Sequence, residues 1–296
     1  MFLEYTWACY LCFFGMCGII IYMKIRKAKY RVKFSICCII ALVCASGALF
    51  SGYKIIEWLI DSHNTKSITT EAEDVAEVVE VEDDDDTEII ESEEPEESPY
   101  WKFVNMSLLN VNLDELRKTN PDVKGWIKVG GTNINYPFMQ TGDNDYYLSH
   151  SLDRSYNSAG WVFADFRLRL DNTDKNMIIY AHGRYDGTMF GTLRTAETNG
   201  WLNDTSNYIV YTVTDHETSM WQVFSTYHIP VTSDYIRTSF SSNEDFANFT
   251  QMVKNRSSHD FNTNVTGTDH ILTLSTCYGD NERMVLHAKL IKRAPR

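Results

Sequence analysis

The sequence predicts a mainly β domain, closed or nearly closed as a barrel, carried behind transmembrane helices. Three observations point there. Two uncharged runs open the chain, Trp7–Met23 and Phe34–Phe50. Residues 71–97 then hold sixteen Asp or Glu and no Lys or Arg. From Tyr100 onward, short apolar runs alternate with turn-forming clusters, and one late amphipathic segment interrupts them.

The N-terminus reads as membrane. A bilayer needs about 20 apolar residues, so the first run is at the lower limit. The second continues through "SGYKIIEWLI" to Ile60 and is long enough. Between them "KIRKAKYRVK" packs six Lys or Arg into ten residues, a cluster that stays cytoplasmic. Residues 1–61 are therefore expected to be a membrane anchor in contact with lipid, with helices at about 7–23 and 34–60 and a basic cytoplasmic loop at 24–33. Everything beyond the anchor then lies on the extracellular face of the cell membrane. A cleaved signal peptide is the alternative for Trp7–Met23, but its basic residues follow the apolar run instead of preceding it. A single anchor at 34–60 is the other alternative.

Residues 62–99 are expected to be an acidic disordered linker, because like charges repel and extend such a segment. The formal net charge of −13 sits there. Residues 98–296 carry 19 basic against 21 acidic side chains, so the folded part is near neutral. No basic patch speaks for nucleic acid.

Residues 100–296 are long enough for one substantial core. "NVNLDELRKTNPDVKGWI" starts as a helix: Asn110 or Asn112 caps it, Leu113 and Leu116 share a face, and Pro121 ends it. Strands are predicted at Trp126–Val129, Ile134–Met139, Gly160–Asp165, Met177–Ala181, Tyr208–Thr214, Met220–Ile229, His270–Thr276 and Met284–Lys292. "GGTN", "TGDND", "RYDG", "TDHETS" and "YGDNE" supply turns between them. "SNEDFANFTQMVKN" predicts a helix with Phe246, Phe249 and Val253 on one stripe.

Of the seven cysteines, six (Cys9, Cys12, Cys17, Cys37, Cys38 and Cys44) lie in the membrane region. Cys277 alone serves the outer domain, which therefore has no internal disulfide. Strand alternation puts Thr273, Ser275 and Cys277 on one face, and Arg283, Val285 and His287 on one face of the next strand. A hairpin across "YGDNE" sets Cys277 opposite Arg283, with Cβ atoms about 5 Å apart. His182 ends the run "NMIIYAH", where a strand gives way to a Gly-containing loop.

Those residue types suit acyl transfer. A free thiol has a pKa near 8.5, and an adjacent imidazolium lowers it. The thiolate attacks a carbonyl and forms a thioester. A fixed cation steadies the oxyanion, and one such donor is worth about 3 kcal/mol. The imidazole protonates the departing amine. Seven other histidines (residues 63, 150, 216, 228, 259, 270 and 287) leave the partner open on chain order alone. One thiol with scattered histidines shows no zinc spacing, so neither metal nor cofactor is expected.

"TLSTC" followed shortly by "RMV", and preceded by "IIYAHGRYDGTMFGTL", resembles the sortases, the membrane-anchored cysteine transpeptidases of Gram-positive bacteria. "NPDVKGWIKVGGTNINYPFMQTGDNDYYL" and "SGYKIIEWLID" resemble class B in particular. The resemblance spans about residues 47–61 and 108–292. It implies an eight-stranded sortase-type β-barrel with an N-terminal helical extension and a helix before the penultimate strand. It implies His182 as acid and base, Cys277 as nucleophile and Arg283 as oxyanion or substrate-positioning group. Asn144, Leu148, Tyr180, Tyr235, Ile236 and Ser275 match positions lining the class B peptide groove.

The implied substrates are surface proteins bearing an Asn-Pro-x-Thr-Asn/Gly-like sorting signal. The chain is cleaved after Thr, and the acyl group passes to an amine of a peptidoglycan precursor or to a pilin lysine. Only five residues separate Cys277 from Arg283, so the loop beside the groove is trimmed relative to the family. A membrane-tethered cysteine endopeptidase, passing the acyl group to water, is the alternative within the same chemistry. A catalytically inactive surface binding module is the alternative outside it.

Overall fold

The computed structural model describes the backbone of residues 31–171, 173–278 and 281–296, and their side chains apart from residues 31–36, 277 and 278. The apolar run at 7–23 and most of the basic loop at 24–33 lie outside the described residues. The chain divides into two compact units, Met1–Asp61 and Ser62–Arg296.

In the first unit the helix Arg31–Ala76 begins. From Cys37 it is long and apolar enough to cross a membrane, and its most apolar 18-residue window has a mean hydropathy of 1.8 with none of it buried. Leu42, Val43, Leu49 and Phe50 are all exposed, an uncovered apolar surface that suits lipid.

The second unit takes in the last turns of that helix. Ala72 and Ala76 enter its core. Asn157 donates to Thr65 Oγ1 at 3.1 Å and Asn135 to Glu73 Oε1 at 2.7 Å, while Ser62 bonds Asp186. The strands follow in order: β1 (Val79–Val81), β2 (Glu88–Ile89), β3 (Leu108–Asn110), β4 (Val123–Val129), β5 (Asn135–Met139), β6 (Phe163–Ala164), β7 (Asn176–Tyr180), β8 (Ile209–Thr214), β9 (Glu217–Pro230), β10 (Ile271–Tyr278) and β11 (Glu282–Pro295).

Eight of these bond in the order β10-β7-β6-β5-β4-β8-β9-β11, and β11 returns to β10 to close the ring. Closure removes the exposed edges that an open sheet would carry. Each of the eight predicted strands is present. Some ends differ: β6 keeps two residues of the six expected, β9 begins three residues earlier at Glu217, and β11 runs on to Pro295.

The pleat divides the core. Leu272, Leu274, Met284, Leu286 and Ala288 join the main cluster with Trp126 and Phe138. Ile271 and Val285 point the other way, into a second cluster beneath the helix Asn243–Asn255. That helix buries Phe246, Phe249 and Val253, the predicted stripe, and Ser242 caps it by accepting from the Asp245 N–H. Between the two candidate caps of the helix Leu113–Thr119, the structure selects Asn112, which accepts from the Glu115 N–H. Asn110 ends β3 instead.

The disordered linker expected at 62–99 is corrected, as is a domain start at residue 100. The compact unit begins at Ser62, and the acidic stretch is bound along β11. β2 pairs with β11, and the Ile90 N–H donates to the Ile291 carbonyl at 2.9 Å. Lys289 is buried, and its Nζ meets Glu94 Oε1 at 3.2 Å, Ser92 Oγ at 2.5 Å and the Asn264 carbonyl at 2.7 Å. Lys292, also buried, lies 2.5 Å from Asp83 Oδ1 and donates to the carbonyls of Val104 and Met106. Arg293 Nε reaches Glu88 Oε2 at 2.7 Å. Local composition misses this because the compensating cations come from the far end of the chain.

Breaking a buried ion pair by removing one partner costs about 3–5 kcal/mol, because the other charge stays buried. Glu94→Ala is therefore expected to lower the unfolding free energy in urea by about 3 kcal/mol. Glu93→Ala, at an exposed neighbour, should change it by less than about 0.5 kcal/mol.

Candidate active site

β10 is the strand that gathers the site. It pairs in parallel with β7 and antiparallel with β11. In the parallel ladder Ser275 is in register with Tyr180, and the Ala181 N–H still reaches the Ser275 carbonyl at 3.4 Å. Two residues further along each strand stand Cys277 and His182. In the antiparallel ladder Cys277 is in register with Arg283, as the hairpin reading expects. The register thus brings a cysteine, a histidine and an arginine from three strands to one end of the sheet. The Cys277 sulfur lies outside the described side chains, so its place is fixed here by backbone register alone.

A groove of about 580 Å³ opens at this end. His182 and Arg283 both line it. So do Asn144, Leu148, Tyr180, Tyr235, Ile236 and Ser275, all six residues matched by resemblance. Val231, Thr232 and Ser233, from the turn after β9, form a further wall that the sequence reading did not single out. Thr276 adds a buried hydroxyl that bonds to nothing among the described residues.

His182 Nε2 lies 2.8 Å from the Leu148 carbonyl. A carbonyl only accepts, so Nε2 carries the proton in this contact. The same bond fixes the ring orientation. Leu148 is held in turn by a close backbone approach. Gly160 has φ +59°, and a Cβ there would stand 2.4 Å from the Tyr147 carbonyl oxygen and 2.9 Å from that of Leu148.

Among the described residues no carboxylate pairs with Arg283. Its Nη1 donates to the Glu282 carbonyl at 3.0 Å, which orients the guanidinium at the groove. Tyr235 and Ser275 share a hydroxyl hydrogen bond of 2.9 Å across the floor. The Tyr180 phenol bonds Asp165 at 2.9 Å and is pushed well above its ordinary pKa, first by burial and then by that carboxylate's charge.

Other histidines are engaged elsewhere. His287 is buried between Tyr227 and Thr273, each 2.9 Å from a ring nitrogen, and burial pushes it down to about 3. His228 pairs with Glu197, whose hydrogen bond raises its pKa. His150 stacks on Tyr146. A second hollow, about 510 Å³, lies between the acidic stretch, the helix Leu113–Thr119 and the end of β11. Its arginines are committed: Arg117 to Asp114 and Asp215, Arg296 to Asn110 and two carbonyls.

Comparison with known proteins decides what this arrangement belongs to. Residues 127–291 match the family model of the sortase domain. The chain is 33% identical over 268 residues to Sortase B of Listeria monocytogenes serovar 1/2a (strain ATCC BAA-679 / EGD-e), covering 86% of this chain and 96% of that protein. The chain belongs to the sortase family, in class B. The solved sortase B from B. anthracis, in complex with AAEK1, superposes with a TM-score of 0.64 at 29% identity, over 79% of this chain and 99% of that one. The Staphylococcus aureus sortase B–substrate complex gives 0.57 at 36% identity, over 60% and 84%. Sortases are cysteine transpeptidases that act on sorting-signal-bearing proteins and amine acceptors, and this class B sortase has their eight-stranded barrel.

The Leu148 carbonyl gives a test of how the histidine is held. Gly160→Ala must displace that carbonyl, and a misplacement near 1 Å costs about 10²-fold in rate. Turnover of a sorting peptide by the variant, followed by mass spectrometry, is expected to fall by about that factor. Gly200→Ala, where an added Cβ meets nothing within 4 Å, should leave turnover unchanged.

Proposed function

We propose that this class B sortase works on the extracellular face of the membrane, with Cys277 as nucleophile, His182 as acid and base, and Arg283 as oxyanion partner. The observation that carries the reading is the register pairing Cys277 with Arg283 at the groove that His182 also lines. The basic segment "KIRKAKYRVK" precedes the apolar helix, which favours a cytoplasmic N-terminal side and an outer catalytic domain.

The chemistry follows from the residues. The Cys277 thiolate attacks the Thr carbonyl of an Asn-Pro-x-Thr-Asn/Gly-like signal, forming a C–S bond and a tetrahedral oxyanion. The Arg283 guanidinium neutralises that oxygen, a contribution of about 3 kcal/mol. As the C–N bond breaks, the His182 imidazolium gives its proton to the leaving amine. A thioester remains. An amine of a peptidoglycan precursor, or a pilin lysine, then attacks it, His182 takes the proton, and the thiolate departs.

Asn144, Leu148, Tyr180, Tyr235, Ile236 and Ser275 bind the signal along the groove. Tyr180 stays protonated with its one O–H given to Asp165, so toward the peptide its oxygen accepts, and Leu148 presents an exposed apolar side chain to the peptide. A solved substrate complex of a 36% identical sortase B supports a substrate site in this fold.

The test uses the full chain in detergent micelles with a panel of sorting peptides, with and without diglycine-type or diaminopimelate-type amines. Ligated product is expected only with an amine present and only after Thr. Cys277→Ala should abolish it. Arg283→Ala should lower kcat/KM by about 10²-fold or more. Peptide loss without ligation would contradict the transpeptidase assignment in favour of hydrolysis, and product from Cys277→Ala would contradict the nucleophile.

A further inference from the structure

We propose that Asp165 is a positioning residue for the peptide groove, holding Asn144, Tyr180 and Ile236 in place through one buried carboxylate and the Arg167 guanidinium beside it. The proposal rests on reading that groove as the sorting-signal site. Asp165 does not itself line the groove. Its side chain is fully buried, at 0% exposure.

Both carboxylate oxygens are engaged. Oδ2 accepts from the Tyr180 hydroxyl at 2.9 Å and from Asn144 Nδ2 at 3.1 Å. Oδ1 accepts from Arg167 Nε at 2.8 Å and from the Arg167 N–H at 3.0 Å. Arg167 Nη2 lies 2.7 Å from Oδ2 and also donates to the Ile236 carbonyl at 3.1 Å. Asn144 is gripped at both ends of its amide, because its Oδ1 accepts from the Phe166 N–H at 3.0 Å. The backbone that carries Asp165 is braced by Gln140, whose Nε2 donates to the main-chain carbonyls of Asp165 and Leu168, each at 2.9 Å.

The three walls so joined come from three separate segments: the turn after β5, the end of β7 and the loop after β9. Nothing in chain connectivity holds them at a common spacing. A buried carboxylate does, because charge-assisted hydrogen bonds are short, strong and directional. Burial alone would raise the Asp165 carboxyl, but its bonds from Arg167 and Tyr180 hold it below the ordinary carboxylate range. It is therefore ionised at neutral pH, while Tyr180 stays protonated and donates. With the walls fixed beforehand, the peptide does not have to order them on binding. That effect belongs to ground-state binding, so its loss appears in KM more than in kcat.

The test compares the full chain in detergent micelles with Asp165→Asn, Arg167→Lys, Tyr180→Phe and the Asp165→Asn/Tyr180→Phe double variant. Initial rates with one sorting peptide give kcat and KM, and iodoacetamide gives the alkylation rate of Cys277. Asp165→Asn is expected to raise KM by about tenfold with kcat within about threefold. Cys277 alkylation should keep its rate, because the carboxylate acts on the groove and not on the sulfur. Arg167→Lys should raise KM less, since Lys keeps the charge and loses the fork. The double variant should be little worse than Asp165→Asn, because Tyr180 acts through the same bond.

Unchanged KM in both Asp165→Asn and Arg167→Lys would overturn the proposal. So would a fall in kcat with altered alkylation, which marks general disruption, or effects of Asp165→Asn and Tyr180→Phe that simply multiply. If Asp165→Asn does not fold, Arg167→Lys alone decides, by the same split between KM and kcat. A wild-type chain that turns over no sorting peptide would overturn the groove reading itself, and this inference with it.

Discussion

The double engagement of β10 is the constraint on which the rest depends. One edge of the strand bonds in parallel to β7, and the other bonds antiparallel to β11. The side-chain period of a strand is two, so a slip of one residue in either ladder would exchange the two faces of the strand. The register is held by what fills the interior. Leu272, Leu274, Met284 and Leu286 are all fully buried, and a slip would trade them for Thr273, Ser275, Val285 and His287. The hydrophobic effect thus sets the register that brings three chemically useful residues to one end of the sheet.

Charge is used in two contrasting ways. Lys289 and Lys292 are buried and compensated by Glu94 and Asp83, so the acidic stretch that dominates the net charge serves as a packed belt on the barrel. Arg283 finds no carboxylate among the described residues and points its charge at the groove. In the first arrangement the loss of either partner would strand a buried charge, and the second leaves a cation at the groove, where the oxyanion is proposed to form. Asp165 stands between these cases: buried, fully bonded, and connected to three groove walls.

Much of this was legible in the sequence. Eight strands could be read because alternation and turn residues flag each one, and the Cys277–Arg283 pairing followed from counting across "YGDNE". The stripe Phe246, Phe249, Val253 announced the helix over the second cluster. The belt was not legible, because a run of carboxylates reads as repulsive unless the distant lysines that receive it are known. The choice of His182 among eight histidines was likewise open on chain order, and only the resemblance singled it out. Asp165 and Arg167 passed as an unremarked "DFR", since a buried carboxylate is recognised by its partners and not by its neighbours in the chain. The six groove residues came from family likeness, not from periodicity, and the structure gathers all six at one groove.

The central claim is that β10 seats the reacting carbonyl between a histidine from β7's end and an arginine from β11's start. A crystal structure of the full chain trapped as the Cys277 acyl-enzyme measures this most directly. The account predicts the thioester oxygen within hydrogen-bond distance of the Arg283 guanidinium, with the His182 ring against the sulfur. A thioester oxygen turned away from Arg283, or a His182 ring on the far side of the barrel wall, would contradict it.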